Sequence, residues 1–229
     1  MAVQTSKIDR LKAWIQTALE VFDSGLVELV MRVWQLAKQL MPGPKKAAPL
    51  GSYEVLAYES RLELKDAKGK KATFYKREHV RFLQNNVIAF QDLVWGDGDI
   101  FVDYKCSPGV AVDRYRDGHR YRVLISLRET KNQGNEEEFL IQRTIRDGFV
   151  KNVESFQTEV NHPTRMLIVS VVFPSSRLPQ RISLTQQNMA HTVDLGPENR
   201  LKLPDGRTQF SWKTSAPKLY EAYILRWEW

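Results

Sequence analysis

The hydrophobic period of this 229-residue chain changes once, and that change divides it. Over the first forty residues apolar side chains recur in steps of three and four, at Ile8, Leu11, Ile15, Ala18 and Phe22, then at Leu26, Leu29, Val33, Leu36 and Leu40. That spacing is the helical period. Trp14, Leu19, Val30 and Trp34 widen the stripe, while Lys12, Gln16, Glu20, Glu28 and Arg32 fall on the other side. Asp23-Ser24-Gly25 interrupts the run, and glycine costs about 1 kcal/mol inside a helix. The pattern predicts an amphipathic helical segment over residues 1–42, as one bent helix or two helices. Pro42-Gly43-Pro44-Lys45-Lys46 closes it, and residues 43–51 read as a linker.

From residue 52 to residue 229 the period becomes two, which predicts an all-β domain. Leu56, Tyr58, Leu62 and Leu64 alternate, and Val123–Leu127 and Met166–Phe173 read as central strands. Turn signals sit at Ala67-Lys68-Gly69, Asp117-Gly118 and Pro204-Asp205-Gly206. The polar run from Asn132 to Glu138 reads as a hairpin loop. Tyr223, Leu225, Trp227 and Trp229 fall on one face of a closing strand, which such a sequence should pair inside a sheet. About 10 to 12 strands are expected by this spacing, as an antiparallel sandwich or barrel.

Composition narrows the function classes. A single cysteine, Cys106, excludes an internal disulfide framework and fits a cytoplasmic location. The start shows no basic region followed by an apolar run, and no uncharged apolar stretch is long enough for a transmembrane span. Net charge is +7, spread over both halves, which is weaker than a dedicated nucleic-acid binder shows.

Candidate chemistry is thin. Trp95-Gly96-Asp97-Gly98-Asp99 clusters carboxylates near glycines, but lacks the glutamate that an EF-hand loop places at its twelfth position. A turn explains it better. Cys106 and His119 would be a nucleophile and base if the fold joined them, and with Asp97 and Asp99 they mark the enzyme alternative. The four histidines, His79, His119, His162 and His191, lack zinc spacing. No cofactor and no metal are expected. Residues 65–81 hold seven basic and two acidic residues, and Lys70, Lys71, Lys76, Arg77 and Arg81 are the candidate anion-binding set.

These readings describe a non-enzymatic interaction or regulatory protein. Its β domain recognises a partner or ligand. Its stripe at Ile8, Leu11, Trp14, Ile15, Leu19, Phe22, Leu26, Leu29, Val30, Val33, Trp34, Leu36 and Leu40 docks to a protein partner or a second copy. Peripheral membrane contact through residues 7–41 is the alternative, and nucleic acid is the lesser one. By build alone, such a chain would suit a subunit of a bacterial signalling or defence system.

Overall fold

The computed structural model describes residues 51–229. The expected helical segment and its docking stripe lie outside them. Among the described residues no helix is long and apolar enough to cross a membrane.

The described chain is built of fourteen strands in three sheets. In chain order they are β1 (Tyr53–Leu64), β2 (Lys71–Phe82), β3 (Val87–Val94), β4 (Asp99–Ser107), β5 (Val110–Asp117), β6 (Arg120–Lys131) and β7 (Glu136–Arg146). Then come β8 (Val153–Glu159), β9 (Leu167–Phe173), β10 (Arg181–Gln186), β11 (His191–Asp194), β12 (Arg200–Lys202), β13 (Thr208–Thr214) and β14 (Ala222–Glu228). The large sheet has the order β12-β13-β9-β1-β2-β7-β4. The second is β11-β10-β14-β8, and the third is β3-β6-β5.

Both small sheets pack on one face of the large sheet. That face carries the buried phase of β1 and β2, including Leu62, Leu64, Phe74, Val80 and Phe82. At one end Phe90 of β3 stacks on Phe139 of β7, ring centres 3.9 Å apart, and lies 5.3 Å from Tyr53. At the other end Phe156 of β8 meets Phe74 at 5.7 Å, and Trp227 of β14 meets Phe173 at 5.6 Å. Each such side chain contributes about 1.5–3 kcal/mol of burial. The closing strand β14 is interior to its sheet, between β10 and β8.

All three turn signals form turns between paired strands. In the β1–β2 turn, Asp66 accepts the N–H groups of Lys68, Lys70 and Lys71. Gly69 there has φ of +69°, and a Cβ would stand 1.7 Å from the Phe149 carbonyl oxygen, so no side chain fits.

Four expectations need correction. The large sheet is mixed, because β1 and β9 pair in parallel; the chain reaches β9 only after the long β3–β8 excursion that a parallel return requires. The strands number fourteen among the described residues, because pieces as short as His191-Thr192-Val193-Asp194 carry no apolar run to announce them. A bulge at Leu56 shifts the phase of β1, so Tyr53 and Val55 share the buried face with Tyr58, and Leu56 does not. Glu136, Glu137 and Glu138 belong to β7, not to a loop, because each lies opposite a β2 residue: Arg81, Val80 and His79.

Candidate functional site

The inner face of the large sheet is apolar at both ends and charged in the middle. From Phe74 to Phe82 the even-numbered residues of β2 face inward: Phe74, Lys76, Glu78, Val80 and Phe82. Two of the five are charged. Lys76 Nζ lies 3.1 Å from Asp92 Oδ1 of β3 and 3.3 Å from Glu78 Oε1. The Tyr104 hydroxyl of β4 donates to Asp92 Oδ2 at 3.0 Å. From β7, the Arg143 guanidinium lies 4.6 Å from the Phe74 ring centre. Arg143 is 7% exposed, and its Nε and Nη1 have no hydrogen-bond partner among the described residues. The second oxygen of Glu78 has none either.

Burial and charge compete at each of these groups. Burial opposes the charge of Lys76, but Glu78 and Asp92 outweigh it and hold the ammonium well above its usual pKa. Burial raises the Glu78 carboxyl, and Asp92 raises it further against the pull of Lys76. Burial lowers the Arg143 guanidinium, with Asp92 only partly restoring it. The Tyr53, Tyr58 and Tyr104 hydroxyls are pushed up, chiefly by burial.

This charged belt floors the seam between the two small sheets. Two cavities open along the seam, of about 440 and about 280 Å³. Tyr58, Lys76, Leu93 and Trp95 line both. Arg143 lies in the smaller, where the basic residues Lys76, Arg143 and Lys151 face the acidic residues Asp97 and Glu154. His162 lies in the larger, its ring 4.2 Å from that of Tyr53. Burial, helped by the charge of Lys76, lowers the His162 imidazole to a pKa of about 4.

Ion pairs cross the seam at its rim. Arg120 of β6 grips both oxygens of Glu159 of β8 at 2.5 and 2.7 Å, while its guanidinium lies 4.9 Å from the Trp95 ring centre. Asp97, after β3, meets Lys151, before β8, at 2.7 Å.

The residues nominated from sequence are scattered by the pleat. Lys70 and Lys71 sit at the β1–β2 turn. Arg77 and Arg81 lie on the outer face, paired with Glu138 and Glu136. Of the five, Lys76 alone lines the seam cavities. The Asp97, Asp99, Cys106 and His119 set is not assembled. Asp97 pairs with Lys151, and Asp99 accepts the N–H of Phe101. Cys106 is on β4 of the large sheet, and burial raises its thiol, contrary to what a nucleophile needs. His119 is in the β5–β6 turn, accepting from Arg120 Nε. Among the described residues no group of three or more His, Cys, Asp or Glu side chains is placed to hold a metal ion.

Sequence reasoning missed Arg143, although a signal was present. Phe139, Ile141, Arg143 and Ile145 alternate along β7, and Arg143 occupies an apolar position in that register.

No family model matches the chain, and no curated protein matches it. Among solved structures it is similar to an M1 zinc metallopeptidase from Deinococcus radiodurans, with a TM-score of 0.47 and 9% identity. It is also similar to a mutant of that enzyme bound to a Tyr-Ser-Ala substrate, with a TM-score of 0.46 and 11% identity. Each match covers 76% of this chain and 42% of the other, so the chain spans less than half the length of those proteins.

Proposed function

We propose that this chain is a binding protein: residues 51–229 take an anionic group into the seam, and residues 1–42 dock the chain onto a protein partner or a second copy. The observation that carries the first part is Arg143. Its guanidinium is buried against a cavity, with two nitrogens that donate to nothing among the described residues. A guanidinium offers five N–H donors and no acceptor, and a buried donor without a partner forfeits its hydration with no return. A carboxylate or phosphate entering the cavity and reaching the guanidinium supplies the missing hydrogen bonds. Lys76, already held by two carboxylates, contributes field more than contact.

Calorimetric titration of the full chain with acetate and with inorganic phosphate tests this reading. Saturable binding of at least one anion is expected, lost in Arg143→Met and kept in a Lys70→Ala, Lys71→Ala double variant. Binding that survives Arg143→Met, or no binding of either anion, would overturn it.

A further inference from the structure

The seam has a second property that its charge does not explain: it is bounded by two strand edges. Among the described residues β3 pairs with β6 alone, and β8 with β14 alone. Each is therefore the last strand of its sheet, and residues of both strands line the two cavities. Their Cα atoms lie beyond 8 Å over most of their length. Paired strands lie about 4.8 Å apart, so one inserted strand needs about twice that spacing between its neighbours. Free N–H and C=O groups on such edges are templates for a further strand.

We infer that the seam receives an extended peptide of a partner protein, hydrogen-bonded to the edges of β3 and β8, with a carboxylate of that peptide on Arg143. This rests on the anion reading above and names its source. Length, charge and side-chain period support it. β3 has eight residues and β8 seven, which sets a ligand of similar length. Arg143 lines the smaller cavity with Nε and Nη1 unpartnered among the described residues, so a carboxylate that engages the guanidinium completes its hydrogen bonding. In an extended peptide the residues two positions either side of that carboxylate face the same floor. Apolar side chains are available in the cavity linings, Phe156 and Ile145 beside Arg143 in the smaller and Phe90 and Tyr53 in the larger. The ligand pattern is therefore an acidic residue, or a terminal carboxylate, with apolar neighbours at spacing two. Main-chain pairing supplies affinity and the pockets supply selection, as in other strand-addition complexes. The pairs Arg120–Glu159 and Asp97–Lys151 lie at the rim of the cavities.

Selection of full-length protein against a display library of random heptapeptides tests the inference. Enriched sequences should carry Asp or Glu with apolar residues at spacing two. An enriched peptide, remade synthetically, should bind with affinity lowered about 10- to 100-fold by Arg143→Met. N-methylation of single backbone amides should lower it about 2- to 10-fold at alternate positions and leave the others unchanged. Enrichment without an acidic residue, enrichment at helical spacing, or indifference to N-methylation overturns the strand. If acetate or phosphate still binds through Arg143 while no peptide does, the strand falls and the anion site stands. If neither binds, both fall.

Discussion

Strand β2 carries charge on both of its faces, and the two faces follow different physics. On the outer face Arg77, His79 and Arg81 lie among Glu136 and Glu138 of β7 and Glu54 and Glu59 of β1. Both guanidiniums there have carboxylate partners, and water reaches all of these groups. Exposed pairs of this kind contribute little to stability, because solvent screens them and side-chain entropy opposes them. They keep a broad sheet face soluble. On the inner face Glu78, Asp92 and Arg143 are buried around a half-buried Lys76, and Glu78 and Arg143 are incompletely hydrogen-bonded. There the loss of Lys76 leaves two desolvated carboxylates behind. The same residue types one position apart are decoration in one place and a commitment in the other.

Removing one member from each face separates them most sharply. Lys76→Met leaves Asp92 and Glu78 facing each other without their shared cation, at a cost of about 3–5 kcal/mol. Arg81→Met on the outer face should leave the urea midpoint unmoved within error. Equal effects from the two variants would mean that the belt is hydrated in solution.

Acidity offers a gentler probe of the inner face. Burial raises the folded-state pKa of Glu78 above its ordinary 4.5, so the folded chain holds this proton more tightly than the unfolded chain. Stability from this group is therefore full below about pH 4.5 and declines as pH rises through the folded value. Glu78→Gln should remove that decline, measured as midpoint against pH. An unchanged profile would show that Glu78 ionises freely in the fold.

His162 has the opposite sign. Burial lowers its folded-state pKa from 6.5 to about 4. The unfolded chain then binds the proton first, so stability falls as pH drops from 6.5 to about 4. His162→Phe keeps the stack on Tyr53 and should flatten that limb. A limb that persists belongs to other groups.

The strand architecture was legible because two-residue alternation and turn chemistry act locally. The runs around Leu124, Val169 and Leu225 are strands because their apolar phase suits a sheet. The bulge at Leu56 and the parallel return of β9 were not legible, since neither is fixed by neighbours in sequence. The anion set nominated from charge density failed to converge because a pleat sends Lys76 and Arg77 to opposite faces. Arg143 was nominated by nothing, yet its place between Ile141 and Ile145 held the sign. A charge in the apolar phase of a strand says more than a cluster of charges along it.

Urea unfolding of Arg143→Met tests the account most directly. If Arg143 is kept for a ligand, its removal takes an unpartnered charge out of the core. The variant should then unfold at the wild-type midpoint or above it, with a gain of up to about 1–3 kcal/mol. A loss as large as that of Lys76→Met would make Arg143 a strut of the fold and contradict the site.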